Sequence, residues 1–438
     1  MIKVSVILPS LNVAGFIERC VLSAANQSLR EIEILCVDGG STDGTLRILR
    51  RLAAEEPRIR LMECGVQSYG AQVNAGIRAA RGEYIGILET DDFAAGDMYQ
   101  ALYQAAEEGG KPDMVKADWE EFVETGREQV FFPVSCLWGR EELYGKVISA
   151  FDCPWLFQQD INIWKGIYRK SFLTEKGIWF QESPGAAFQD LGFAVLTLSK
   201  AERILYLRRS LYRYQKGRAG ASSSNPRALR FAYQEWRRLL EEGLMPGKAL
   251  DCPYVWQRMA DSFLGEYEKV LGLLDYNRDH PLIGPYYQWF RQRLAGPAGR
   301  ADFPARHENR EGFERLAEAL FEPEKHREGR RREGEALRRL EEKVLGAGEI
   351  IIFGCGIRGR RAREFLLLRQ REAKAFCDSR PELQGGLAGG LPVFSPRECV
   401  QRFPSALYLT AAKGRHTEMR RQLAGLGILE DRIIGFPD

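Results

Sequence analysis

Short β-branched and aliphatic runs alternate with amphipathic stretches through the first part of the chain. Residues 4–8 read as a buried strand, and Ile17, Val21 and Ala24 share one helical face after it. Residues 32–37, 58–62 and 84–88 repeat the strand pattern. Between them, Leu46, Leu49 and Ala53, and then Val73, Ile77 and Ala80, fall at helical spacing. This alternation predicts a parallel sheet with crossover helices. Polar loops follow three of the strands, at residues 9–12, 38–44 and 89–92, with Ser41 and Thr42 as helix N-cap candidates. In open α/β sheets ligands gather beyond the carboxyl ends of the strands, so the three loops should converge on one crevice.

From about residue 225 to 345 the pattern turns helical and polar. A turn at Gly284-Pro285 precedes Tyr286, Tyr287, Trp289 and Phe290, read as helix packing. Residues 326–343 mix Arg and Glu, as in a solvated helix or linker, or else a stretch that meets an anionic membrane or a partner. At Glu349 a second α/β unit begins, with a strand at 350–353, a glycine turn, a helix through Phe365 and Leu368, and a strand at 373–377. The expected domains are therefore 1–224, 225–345 and 346–438.

A chain of 438 residues is long for one core, which fits that division. A formal net charge of +3, with basic residues dispersed among acidic ones, excludes a nucleic-acid function. No run approaches the roughly 20 apolar residues of a membrane span, and the opening MIKVSVILPSLN is too short for a signal-peptide core, so a cytoplasmic location is expected. Nine cysteines without a Cys-x-x-Cys pair suggest neither a disulfide framework nor a zinc site. The four histidines, His280, His307, His326 and His416, all lie late. Chemistry in the first 279 residues must use carboxylates, hydroxyls, amides or metal.

Glu89-Thr90-Asp91-Asp92 puts three carboxylates at one strand end. Oxygen ligands on a short loop suit Mg²⁺ or Mn²⁺, which bridge a diphosphate. A solvated acidic turn capping the helix from about Asp97 would use the same residues. Asp38 with its glycines, and Pro9, Ser10 and Asn12 at the neighbouring strand end, favour a nucleotide crevice.

Three segments carry a resemblance: VSVILPSLN ending at Asn12, IEILCVDGGSTDG ending at Gly44, and GEYIGILETDD ending at Asp92. In this order they resemble the family 2 glycosyltransferases of the GT-A fold, over roughly the first half of the chain. The resemblance implies an inverting transfer from a nucleotide sugar, with Asp38 near the base and Asp91 and Asp92 serving ribose, metal and diphosphate. The chain departs from the family at Gly39, where many members carry a second aspartate, and at Leu11, where many are aromatic. The nucleotide base is accordingly left open.

An inverting transfer needs a general base opposite the leaving diphosphate. The segment QESPGAAFQDLG, from Gln181 to Gly192, resembles the one that holds this base in the family. It makes Asp190 the candidate, with Glu182 a weaker second, although Asp190 could equally cap the helix after Leu191. Trp155, Trp164 and Tyr168 are either core or sugar-stacking residues. Gln215-Lys-Gly-Arg218 faintly resembles the Gln-x-x-Arg-Trp element of processive synthases, but without the tryptophan, which favours single additions. The implied acceptor is a growing surface polysaccharide or a lipid-linked glycan, which would bring the enzyme to the inner face of the membrane as a peripheral protein.

Gly354-Cys-Gly356-Ile-Arg-Gly359 satisfies Gly-x-Gly-x-x-Gly between a strand and a helix, with Asp378 ending the next strand. The region to about Pro396 is similar to the Rossmann-like modules of sugar-nucleotide and polysaccharide enzymes, and in that setting the glycines could admit a phosphate, and the acid could bind ribose, of NAD or of a sugar nucleotide. They could also serve strand-helix packing alone. Two other functions therefore stand beside the transferase: a nicotinamide-dependent oxidoreductase centred on this motif, and a non-catalytic sugar-nucleotide-binding subunit.

Overall fold

The computed structural model describes residues 1–125, 128–186, 188–217 and 225–437. Its first half runs β1 (Val4–Ser10), α1 (Ile17–Ala25), β2 (Ile32–Asp38), α2 (Thr45–Glu55), β3 (Ile59–Glu63), α3 (Tyr69–Ala79) and β4 (Tyr84–Ile87). There follow β5 (Phe93–Ala94), α4 (Met98–Glu108), β6 (Met114–Glu124), β7 (Gln129–Val134), β8 (Val147–Ile148), α5 (Leu156–Gln159), β9 (Gly166–Arg169), α6 (Lys170–Glu175), α7 (Gln189–Lys200) and β10 (Ile204–Gln215). Helices come next: α8 (Ala228–Glu241), α9 (Gly247–Leu250), α10 (Pro253–Leu273), α11 (Gly284–Gly299), α12 (Ala305–Glu308), α13 (Arg310–Phe321) and α14 (Pro323–Gly346). The chain closes with β11 (Ile350–Phe353), α15 (Ile357–Leu367), β12 (Ala375–Cys377), β13 (Leu387–Ala388), β14 (Leu391–Phe394), α16 (Pro396–Arg402), β15 (Leu407–Thr410), α17 (His416–Gly425) and β16 (Ile433–Gly435).

Two compact units result, one of residues Met1–Phe122 and Phe131–Arg327, the other of Val123–Val130 and Glu328–Asp438. The first is built on a mixed sheet in the order β3-β2-β1-β4-β9-β6-β10-β5. Strands β3, β2, β1 and β4 are mutually parallel, as the alternating pattern predicts. Both β1 and β2 are buried at every position, which is why they read as apolar runs rather than as alternation. Beyond β4 the sheet turns antiparallel through β9. In β10 the register shifts between Leu207 and Tyr212, after which Tyr212 lies opposite both Trp119 and Ala94.

Helices α8 to α13 share a hydrophobic core with this sheet: Trp236, Phe263 and Phe290 belong to the same buried cluster as Val6 and Ile34. Tyr287 and Phe290 are buried as packing residues, and the Tyr287 hydroxyl donates to the Ala319 carbonyl at 2.9 Å. The mixed-charge segment is α14, but it is not solvated from its start, because His326 is buried and pairs with Glu268 at 2.9 Å. Near the other end of α14, Leu340 and Val344 enter the core of the second unit.

The second unit's sheet runs β13-β14-β12-β11-β15-β16 and is parallel except for β13. Its strand order reverses between β11 and β15, which opens a cleft at the carboxyl ends. Among the described residues no helix is long and apolar enough to cross a membrane.

Candidate functional site

At the end of β2, Asp38 turns back on its own loop. Its Oδ2 accepts from the amides of Gly40 and Ser41, both at 2.9 Å, whereas Oδ1 is buried with no hydrogen-bond partner among the described residues. An acceptor buried and left unpaired costs about 1–3 kcal/mol, and this oxygen finds no donor among the described residues. Asn12, with a left-handed φ of 54°, ties the first two loops together: its Oδ1 accepts from the Thr42 amide at 2.8 Å, and its own amide donates to Ser41 Oγ. These contacts occupy Ser41 and Thr42, so neither caps α2. The helix starts at Thr45 behind a left-handed Gly44, and Asp43 accepts from the Thr45 amide and hydroxyl. Pro9 and Ser10 are buried strand residues whose carbonyls accept from Thr90 Oγ1 and from the Gly39 amide.

The acidic loop after β4 opens on a pocket of about 180 Å³ that also holds Asp190. Its three carboxylates differ in environment. Glu89 accepts from the Tyr69 hydroxyl at 2.5 Å. Asp92 is buried with both oxygens engaged, Oδ2 by the Tyr212 hydroxyl at 2.8 Å and Oδ1 by the Gln215 amide at 2.7 Å. Burial, and then the charge of Asp91, push the Asp92 carboxyl well above the usual carboxylate range. Asp91 itself is half-buried, with its carbonyl taking a hydrogen bond from Arg19. Among the described residues no group of three or more metal-ligating side chains is arranged to hold an ion alone. The oxygen-only donor set nonetheless fits a hard divalent cation that takes one or two carboxylates and fills its shell with substrate phosphates.

Asp190 lies in the first turn of α7 and does not cap it, since the N-cap position is Phe188 at a left-handed φ of 64°. Its Oδ1 accepts from the Leu191 amide at 2.9 Å, and the side chain remains accessible. Desolvation by the surrounding protein raises its carboxyl above the ordinary value. The preceding loop is pinned by Gln189, whose amide donates to Ser183 and to the Gly185 carbonyl, and by the Tyr69 amide on the same carbonyl. Glu182 is bound away on α3, where Asn74 and Arg78 donate to it and lower its pKa. Trp155 and Tyr168 are core, while Trp164 stacks on Tyr212 at 4.2 Å and on Tyr214 at 5.2 Å and lines the pocket. Arg218 lies outside the described residues.

Behind α7, Glu235 of α8 is buried against Gly192, where an added Cβ would sit 2.0 Å from its Oε2. Arg238 donates to Oε2, whereas Oε1 has no partner among the described residues. Burial outweighs Arg238 and raises this carboxyl to about 7. A folded-state pKa above the unfolded value of about 4.3 means that the folded chain binds the proton more tightly, so stability falls as pH rises from about 4 to 7. Glu235→Gln should therefore raise Tm at pH 8 by a few degrees and lose that advantage near pH 4. Equal melting of the two proteins at pH 8 would show the carboxylate to be fully compensated.

In the second unit, Gly354 and Gly359 are dictated by packing. Gly354 has φ 104°, and a Cβ on Gly359 would lie 1.9 Å from the Gly354 carbonyl oxygen. Gly356 faces open space in a cleft of about 550 Å³ at the point where the strand order reverses. Asp378 already accepts from the Cys355 amide, from Cys355 Sγ and from the Arg380 guanidinium, and it is held well below the usual carboxylate range against its own burial.

A sheet of this order, with acidic and polar loops at its carboxyl ends and a carboxylate on a facing helix, defines a nucleotide-diphospho-sugar transferase fold of the GT-A type. Residues 5–163 match the family described as Glycosyl transferase family 2. Residues 5–163 thus match a family 2 glycosyltransferase domain, within a first unit whose sheet has the GT-A fold. The chain is 28% identical over 217 residues to the uncharacterized glycosyltransferase EpsJ of Bacillus subtilis, covering 49% of this chain and 61% of that protein. It is 43% identical over 94 residues to a chondroitin synthase of Escherichia coli, covering 22% and 14% respectively. The chain thus spans less than two thirds of the length of these relatives. Among solved structures, S. aureus TarS superposes with a TM-score of 0.50 at 17% identity, covering 73% of this chain and 55% of that one, a likeness of fold.

Sequence reasoning alone did not single out Tyr69, Gln72, Phe188 or Tyr212. For Gln72 a signal existed: with Asn74 it interrupts the otherwise apolar buried face of α3.

Proposed function

We propose that the chain is an inverting glycosyltransferase that moves a sugar from a nucleoside-diphosphate donor to an acceptor hydroxyl. The observation that carries this reading is the single pocket shared by Asp91, after β4, and Asp190, at the head of α7. In the proposed reaction Asp190 takes the proton of the acceptor hydroxyl as its oxygen bonds to the anomeric carbon. The bond from that carbon to the diphosphate breaks, and its electron pair leaves with the nucleotide. The raised pKa of Asp190 supports this role, because a base stronger than a free carboxylate transfers the proton more readily.

Asp91 is the proposed carboxylate for Mg²⁺ or Mn²⁺, and Asp92, with both oxygens engaged, fixes the loop that presents it. The cation, when bound, would neutralise the charge growing on the leaving diphosphate. Asp38, through its unpaired Oδ1, is the proposed base-reading group, with Asn12 holding the loops around it. Trp164 and Tyr214 offer faces for a sugar ring. The name of the relative called chondroitin synthase is consonant with a glycan acceptor; a lipid-linked acceptor met peripherally at the membrane is part of the same proposal.

For the second unit, engagement of Asp378 by Arg380 and Cys355 argues against ribose recognition, and so against a nicotinamide oxidoreductase. Any ligand there is proposed to meet Gly356 through a phosphate. The test is a panel of nucleotide sugars with Mn²⁺ or Mg²⁺, read by released nucleoside diphosphate. Metal-dependent release from at least one donor is expected. Binding of donors without release under any acceptor or metal would instead establish a non-catalytic subunit.

A further inference from the structure

The backbone of the acidic loop after β4 is held by α1 and by the end of β10. From α1, Cys20 Sγ donates to the Glu89 carbonyl at 3.3 Å, and Arg19 Nη2 donates to the Asp91 carbonyl at 3.1 Å. The same Arg19 nitrogen donates to Gln215 Oε1 at 2.7 Å. The Arg19 guanidinium lies over the rings of Phe93 and Phe122, 5.0 and 5.3 Å from their centroids, which fixes the plane that aims both hydrogen bonds. Gln215 in turn donates its backbone amide to Asp92 Oδ1 at 2.7 Å. It thus serves the loop twice, directly at Asp92 and through Arg19 at Asp91.

We propose that Arg19 and Gln215 are positioning residues that fix the backbone at Asp91 and so aim its carboxylate at the cation of the donor diphosphate. The proposal rests on the reading of Asp91 as the carboxylate for that cation. A carboxylate that meets a metal depends on the groups behind it for its direction. Asp92 is committed inward, to Tyr212 and Gln215, so the direction of its neighbour is set at the peptide that joins the two aspartates. The Asp91 carbonyl belongs to that peptide, and Arg19 holds it. A neutral amide suits position 215, because its oxygen accepts from Arg19 without adding a negative charge that would compete for the cation. Lysine is no substitute for Arg19, since an ammonium has no plane to lie on the two rings while its hydrogens reach both oxygens.

The experiment is calorimetric titration of the full chain with UDP and with GDP, without metal and over a series of Mn²⁺ concentrations. In Arg19→Lys and in Gln215→Leu, the Mn²⁺ needed for half-maximal nucleotide binding should rise by about tenfold or more, the usual cost of removing a group that orients a metal ligand. Metal-free nucleotide binding should stay as in the wild type. Gln215→Glu keeps an acceptor for Arg19 and should hold the Mn²⁺ requirement at or below the wild-type value. Arg19→Lys combined with Gln215→Leu should cost no more than the worse single variant, because the two residues act through one peptide. An unchanged Mn²⁺ requirement in both single variants, while Asp91→Asn raises it, would overturn the proposal. So would an equal loss of metal-free binding, which marks a general support of the loop. A wild-type chain that binds neither nucleotide, or binds them without regard to Mn²⁺, would overturn the reading of Asp91 itself.

Discussion

Asp190→Asn is expected to lower sugar transfer by about 10²- to 10⁴-fold, the range typical of losing a positioned general base. Nucleoside-diphosphate binding should remain, because Asp190 stands on α7 and not on the loops that follow β1, β2 and β4. The fold should also remain, since the hydrogen bond that Asp190 Oδ1 takes from the Leu191 amide can be accepted equally by an Asn carbonyl. The pH profile gives an independent readout. Desolvation raises the Asp190 carboxyl, and a base must be deprotonated to act, so the wild-type rate should fall as pH drops through a pKa above the roughly 3.9 of a free aspartate. In Asp190→Asn the residual rate should lose that acid limb. A variant that kept both the rate and the limb would place the base elsewhere. Glu182 would then be a poor substitute, because Asn74 and Arg78 already engage it and pull its pKa down.

The parallel strands β1, β2 and β4 were legible because each is a short apolar run followed by a polar loop, a pattern set by burial on both faces. Strand β10 was not, because Arg208 and Arg209 are exposed in its middle and the register shifts there. Strand β5, of two residues, exists only because Tyr212 and Arg213 supply its partners. The separate helical region expected at 225–345 was read from its change of periodicity, which reports local structure. It carries no record of Trp236 packing into the same core as the sheet.

The site divides in the same way. Asp91 and Asp190 could be picked from motifs, since each sits at a predictable strand end or helix start. That Asp92 turns inward could not, because its partner Tyr212 lies 120 residues away. Gln72 likewise meets the loop after β2 only through the fold, where a Cβ added at Gly39 would lie 2.2 Å from its Nε2. For Gly354 and Gly359, sequence left packing and ligand binding equally open. The close approach of the Gly359 position to the Gly354 carbonyl oxygen establishes packing as sufficient reason for both.

Asp91→Asn should lower transfer by about 10²- to 10³-fold, corresponding to the loss of several kcal/mol of charge stabilisation at the leaving diphosphate. The signature that separates it from Asp190→Asn is in binding: affinity for UDP or pyrophosphate in the presence of Mn²⁺ should fall toward the metal-free value. The two carboxylates can be told apart because they meet different parts of the reaction in the proposed scheme. Asp91 is half-buried at the pocket wall, where a cation could bridge it to phosphate, whereas Asp92 is buried and engaged by Tyr212 and Gln215. Replacing Asp91 also removes the charge that, after burial, does most to raise the Asp92 carboxyl. The folded protein should therefore resist rising pH better in Asp91→Asn than in the wild type, because an inward carboxylate that ionises beside one fewer negative charge costs less. Unchanged Mn²⁺ dependence of nucleotide binding in Asp91→Asn would move the cation to Glu89. Tyr69 donates to that carboxylate, and Tyr69→Phe would then be expected to tighten metal binding.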